Sequence, residues 1–154
     1  MESYRLTALM VLVTVWVEFV IAAAVVFLDP HNNTFPYTTI VLTWPGVLEE
    51  IHRLWALVIF LVFLANILVL VLDRKSGHRN TPRQLLPLSA LATVLLFLQA
   101  GFGAITIWNY DYPPFVVMHE GNAGLLLFVS SILAAYALYH RPAAPRSKSS
   151  QSRT

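Results

Sequence analysis

Four apolar runs, each of roughly 20 residues or more, follow one another along nearly the whole of this chain. At a rise of about 1.5 Å per residue, a helix of that length spans the ~30 Å hydrocarbon layer of a bilayer. Four such runs in 154 residues leave no room for a separate soluble domain. Charged residues make up 12% of the chain and hydrophobic ones 57%, against the ~25% charged that is usual in soluble domains. Lipid, not water, is therefore the main solvent. The expected fold is an all-α membrane protein, a four-transmembrane-helix up-down-up-down bundle with both termini cytoplasmic.

The helices are predicted over about 6–28, 47–72, 85–108 and 115–139, together forming one domain over 1–139. The first run is too long for the apolar core of a signal peptide and has no convincing cleavage site after it, so it reads as a retained helix. Proline and glycine punctuate the rest: Pro30 and Pro36 in the first loop, Pro45-Gly46 before the second helix, and Pro113-Pro114 before the fourth. The segment 140–154, rich in Pro, Ser and Arg, is expected to be a disordered basic cytoplasmic tail. Arg5, the four basic residues of the 73–84 loop and the four of the tail would share one side, leaving only Arg53 on the other. Basic loops stay in the cytoplasm. Asn32, Asn33 and Thr34 are then external, and Trp44, Trp55, Trp108, Tyr110 and Tyr112 form an aromatic belt at the outer interface.

The formal net charge of +2 reports this topology and not a nucleic-acid partner. The absence of cysteine excludes disulfides, thiolate metal sites and covalent c-type haem attachment. Any cofactor must be held by histidine, carboxylate or packing.

His52 and His119 are the residues that answer this constraint. On the predicted boundaries, they lie about five and four residues into the second and fourth helices, which both run inward from the outer face. Both imidazoles then lie roughly 6–8 Å below the helix starts, in the outer half of the membrane. Helices two apart in an up-down bundle are diagonal, and neighbour spacings of about 8–10 Å give a diagonal of roughly 12–14 Å. That gap suits two imidazoles with one iron between them. A histidine on its own at a membrane interface is ordinarily a hydrogen-bonded helix-end residue, which is the reading for His31, His78 and His140. A depth-matched pair inside the bilayer is a functional candidate.

The neighbours of the pair carry more than one reading. Gly101 and Gly103 on the third helix, with Gly121, Ala123 and Gly124 on the fourth, either clear space for a flat macrocycle or serve helix packing. A bare zinc or copper would have only Glu49, Glu120 and His31 as further ligands. Glu49 precedes His52 by one helical turn and shares its face, while Glu50 and Glu120 suit the positive end of a helix dipole. Arg53 is available to a haem propionate or to Glu49 and Glu50. Glu18 and Gln99, near the midplane of the first and third helices, need partners in hydrocarbon and are placed to bond each other. A proton path or a contact to the cofactor is the other role open to them. Asn66 and Ser130 lie deeper on the faces of His52 and His119, as interior hydrogen bonders.

Glu49-Glu50-Ile51-His52-Arg53 resembles the Glu-x-x-His-Arg motif of haem A synthase. The stretch from Gln99 to Thr106 is similar to that family's Gln-x-x-x-Gly-x-x-Thr helix, and Pro113-Pro114 through His119 resembles the turn and helix that deliver its second histidine. Together these motifs cover most of residues 44–130. The resemblance implies oxidation of a methyl group of haem O to the formyl group of haem A. Glu49 would be the catalytic carboxylate, His52 and His119 the axial ligands of the haem iron, and Arg53, Gln99 and Gly103 part of the cofactor-binding surface. Haem B is the other haem such a site would take.

The chain departs from the family in two ways. It corresponds to one half of the usual eight-helix arrangement, and it lacks the external cysteine pair of bacterial members. A half-length chain could restore two sites as a symmetric homodimer, work with a single site, or accompany an oxidase as a subunit. The partners implied are haem O, membrane lipid, a second copy of the chain, and a haem O synthase or terminal oxidase, all at the cell membrane. The rival expectation is a bis-histidine haem-b electron-transfer protein, or an oxidase subunit, with no chemistry on the macrocycle. Glu49 separates the two, because a cytochrome has no need of that carboxylate.

Overall fold

The computed structural model describes residues 2–28, 44–77, 81–109 and 111–140. Among them are four α-helices and no strand: α1 (Ser3–Leu28), α2 (Trp44–Lys75), α3 (Leu85–Trp108) and α4 (Pro113–Tyr139). Each is long and apolar enough to cross a membrane, so the chain has the build of a multi-pass membrane protein. The loop with His31 and Asn32–Thr34, together with His78, Tyr110 and the tail from 141 onward, lies outside the described residues.

α3 has the predicted bounds, whereas α1, α2 and α4 begin three, three and two residues earlier than expected and α2 ends three later. The prolines at 45, 113 and 114 account for the early starts of α2 and α4. A first-turn residue has no intrahelical acceptor for its N–H, so proline is tolerated there and opens these helices instead of preceding them. The histidines accordingly sit deeper than the sequence suggested, about 12 Å below the start of α2 for His52 and about 9 Å below that of α4 for His119.

Short turns join α2 to α3 and α3 to α4. After α2, Gly77 takes a φ of 71° that suits glycine, Thr81 Oγ1 donates to Asp73 Oδ2 over 2.9 Å, and Arg74 donates to the Arg83 carbonyl over 2.7 Å. After α3, the side-chain amide of Asn109 donates to the Ile105 carbonyl. Asp111 adopts a φ of 57°, and its N–H donates to the Thr106 carbonyl. Asp is among the residues that tolerate this left-handed conformation, which lets the chain reverse within a few residues.

Each helix packs on its chain neighbours and α1 also meets α4, while α1 and α3, like α2 and α4, do not touch. The result is a four-cornered bundle in which α2 stands diagonally from α4. Its α2–α3 edge is the least closely packed. The buried positions recur every three or four residues: Tyr4, Ala8, Val11 and Val15 on α1, Ile59, Phe63, Asn66 and Leu70 on α2, and Leu126, Val129, Leu133 and Ala137 on α4. That spacing places one seam of each helix toward the middle. Leu57, Leu61, Leu64, Phe97 and Phe128 project outward, an apolar exterior that water would not tolerate but lipid solvates.

Pairs of residues fix which levels of neighbouring helices meet. Glu18, Thr14 and Thr7 of α1 meet His52, Trp55 and Asn66 of α2 in that order. Phe60 and Asn66 of α2 meet Phe97 and Ser89 of α3, and Gln99 and Leu95 of α3 meet His119 and Asn122 of α4. Trp44, Trp108 and Tyr112 are exposed at one end of the bundle, as an aromatic belt requires. Trp55 departs from that expectation. It is half-buried, and its indole N–H donates to the Thr14 carbonyl over 3.0 Å, because it lies well down α2 and faces α1.

Candidate functional site

Two polar clusters interrupt the apolar interior. The first consists of Thr7, Asn66 and Ser89. Asn66, fully buried, donates to Thr7 Oγ1 over 2.9 Å and accepts from Ser89 Oγ over 2.6 Å, which satisfies both ends of its amide. Asn66 is thus the interior hydrogen bonder the sequence predicted. Ser130 is equally buried, yet its hydroxyl has no partner among the described residues.

The second cluster contains both histidines. Glu18 Oε1 of α1 lies 3.1 Å from Nδ1 of His52 on α2, and Gln99 of α3 reaches His119 on α4. The expected Glu18–Gln99 bond does not form. Their helices, α1 and α3, occupy opposite corners, so each polar group turns to the histidine on an adjacent helix instead. His52 and His119 lie within electrostatic reach of one another across the bundle.

The two pairs differ in kind. The Glu18–His52 contact is close but off the line of a hydrogen bond, which leaves Nδ1 of His52 and Oε2 of Glu18 buried without hydrogen-bond partners. Gln99 Nε2 sits 3.2 Å from Nδ1 and 3.3 Å from Nε2 of His119. Behind it, the Asn122 amide donates to Gln99 Oε1 over 2.7 Å and to the Leu95 carbonyl over 2.9 Å. Sequence reasoning passed over Asn122. Its position three residues after His119, on the same helical face, was the available signal.

Gln99, Gly103 and Thr106 recur at i, i+4 and i+7, so the third-helix motif occupies one face of α3. A Cβ built on Gly103 would stand 3.0 Å from Cε1 of His119. The space at Gly103 is thus filled by the imidazole itself. A Cβ on Gly101, Gly121 or Gly124 would meet nothing within 4 Å, and these exposed glycines face out of the bundle instead of clearing room within it. Thr106 is buried, and its hydroxyl has no hydrogen-bond partner among the described residues.

The chain matches no family model, no curated protein and no solved structure. The likeness to haem A synthase therefore rests on the short motifs quoted above alone.

Glu49, the carboxylate one turn before His52, is 6% exposed and forms an ion pair with Arg53. Arg53 also holds Glu50 Oε1 at 2.8 Å. Of the two partners open to this arginine in sequence, the carboxylates hold it here. Glu120 is exposed on α4. Among the described residues no three His, Cys, Asp or Glu side chains gather into a metal site. The cluster therefore offers two imidazoles, one carboxylate and one carboxamide around the bundle axis. Such a donor set suits an iron that already carries its equatorial ligands better than a bare ion needing four from the protein.

Proposed function

We propose that this chain binds haem between His52 and His119 and, as its motifs imply, is a haem A synthase that oxidises a methyl group of haem O to the formyl group of haem A. The observation that carries the reading is the set of orphaned polar atoms around the histidines. Nδ1 of His52, Oε2 of Glu18 and Oγ1 of Thr106 are all buried without hydrogen-bond partners among the described residues. Unsatisfied groups in hydrocarbon are costly, and a polar-edged cofactor held at the histidines would supply partners to those of His52 and Glu18. Haem O, when bound, would supply both the redox-active iron and the methyl group to be oxidised.

The roles of the protein's own residues follow. His52 and His119 would hold the haem iron, with Glu18 and Gln99 beside their rings. Glu49 would be the catalytic carboxylate, placed to stabilise positive charge on the substrate. Arg53 fixes Glu49, and Gly103 admits the His119 ring. The pairwise levels of the helices support an up-down-up-down order, and the distribution of basic residues supports cytoplasmic termini in the cell membrane. The haem then lies in the outer half of the bilayer. A second copy of the chain would supply the half missing relative to the family, and a haem O synthase or terminal oxidase would deliver the substrate or receive the product.

One observation favours the rival, a bis-histidine haem-b electron-transfer protein or oxidase subunit. Glu49 is already engaged by Arg53, as a purely structural ion pair would be. Purification from cells supplied with haem O, followed by chromatography and mass analysis of the extracted haems, separates the readings. Hydroxymethyl or formyl haem, lost in Glu49→Ala while haem content persists, supports the synthase. Haem B alone, unaffected by Glu49→Ala, supports the rival, and a colourless protein that takes up no haem overturns both.

A further inference from the structure

The wall of the bundle is not closed to the same degree on every side of the histidines. At their level α1 is tied to α2 by Trp55, whose indole donates to the Thr14 carbonyl, and by the Glu18–His52 contact, while Gln99 and Asn122 tie α3 to α4. α2 and α3 are joined further in, by Asn66 with Ser89 and by Phe60, whose ring meets that of Phe97 edge to face at 5.9 Å. One turn outward of each phenylalanine, toward the Trp44 end, stands an alanine, Ala56 on α2 and Ala100 on α3. Both alanines are exposed, although each lies on an inward face. Ala56 shares the face of Phe63, two turns on, and Ala100 that of Ser89, three turns back, and those two residues are each 1% exposed. His52, on the face of Ile59, likewise keeps its side chain 30% exposed while Ile59 is 2% exposed. The same faces are thus sealed from the level of the Phe60–Phe97 pair inward, and open outward of it.

What the opening faces decides what can use it. Leu57, Phe60 and Phe97 beside it are exposed, and both alanines lie more than two turns from the outer helix ends, within the apolar spans. It gives onto hydrocarbon, which excludes polar solutes. At its inner end stand His52 and Glu18, whose Nδ1 and Oε2 are buried without hydrogen-bond partners among the described residues. A ligand matched to both ends dissolves in lipid as a whole and carries a group that imidazole binds. A hydrated ion fails the first condition, and a plain lipid fails the second.

We propose that the edge between α2 and α3 is a lateral portal through which a haem dissolved in the bilayer reaches and leaves the histidines, with Ala56 and Ala100 as its sides and the Phe60–Phe97 pair as its floor. The inference rests on the haem reading and deepens it by fixing the side from which the substrate comes. A methyl group on each helix leaves the gap that aromatic rings fill one turn further in.

Closing the portal after folding tests this. The chain has no cysteine, so Ala56→Cys with Ala100→Cys can be joined by a short bifunctional methanethiosulfonate and released by reductant. The full chain is reconstituted without haem in phosphatidylcholine vesicles, haem O is added to the bilayer, and the growth of low-spin absorption gives the uptake rate. The joined protein should lose most of that rate and recover it on reduction, whereas protein loaded before joining should keep its haem and its spectrum. Val13→Cys with Leu127→Cys, across the groove between α1 and α4, should take up haem at the same rate joined or free. Ala56→Phe, which carries the aromatic floor one turn outward, should slow uptake with no cross-linker, and it guards against a cysteine pair that fails to join.

Uptake as fast in the joined α2–α3 pair or in Ala56→Phe as in wild type overturns the proposal, and so does uptake slowed equally by joining α1 to α4. Loaded protein that loses its low-spin spectrum on joining also overturns it, because the link then acts on the site and not on the route. A wild type that takes up no haem overturns the haem reading itself, and the portal with it.

Discussion

At the scale of single residues, the bundle gives each histidine its own orienting partner, and the partners are not equivalent. A carboxylate beside His52 and a carboxamide beside His119 predict different consequences of ligand loss. His52→Ala and His119→Ala should each remove the low-spin absorption of the haem-loaded protein. His119→Ala should retain the larger share of its haem, because the ligand backed by Glu18 survives; haem-to-protein ratios after gel filtration check this. That both histidines lie in the first turns of α2 and α4 was legible in the sequence, although the true helix starts put His52 about 3 Å further from its start than His119. Their partners were not. Pairing Glu18 with Gln99 assumed that two midplane polar groups would find each other, but which helices touch depends on the order of helices around the bundle. Glycine direction was hidden for a related reason. In a membrane helix the lipid face is as apolar as the core, so periodicity does not show that Gly103 looks in while Gly101, Gly121 and Gly124 look out.

At the scale of elements, the four helices and their apolar cores could be read from length alone, and the errors fell at helix ends: α1 begins and α2 ends three residues beyond the expected bounds, and prolines open α2 and α4. Treating Pro45 and Pro113-Pro114 as stops before the helices displaced both starts, although a first turn is where proline costs least. What holds the helices together below the histidines is also polar. Asn66 joins α1 to α3 through Thr7 and Ser89, although those two helices do not touch. Asn66→Ala removes both bonds and leaves the Ser89 hydroxyl to find a new acceptor in hydrocarbon. Membrane hydrogen bonds are each worth about 0.6–2 kcal/mol, so the variant should lose roughly 1–4 kcal/mol, measured by reversible unfolding in mixed micelles. Thr7 retains its bond to the Tyr4 carbonyl, which places the expected loss toward the lower part of that range.

At the scale of the whole molecule, the position of the site in the bilayer depends on which end of the bundle faces outward. Both histidines lie nearer the end that carries Trp44, Trp108 and Tyr112, while the turn containing Arg74, Lys75 and Arg83 lies at the other end of α2 and α3. Basic loops are retained on the cytoplasmic side, so under the proposed haem reading the substrate would lie in the outer leaflet. Because the chain has no cysteine, a single introduced thiol reports sidedness without background. Asn109→Cys and Ser76→Cys occupy exposed positions in the two described turns. In intact cells a membrane-impermeant maleimide should label Asn109→Cys and spare Ser76→Cys, with both labelled after the membrane is opened. The reverse pattern would place the histidine cluster in the inner leaflet. A haem O substrate would then have to be presented from the cytoplasmic side, and the outer-leaflet placement would be withdrawn while the ligand pair itself remained intact.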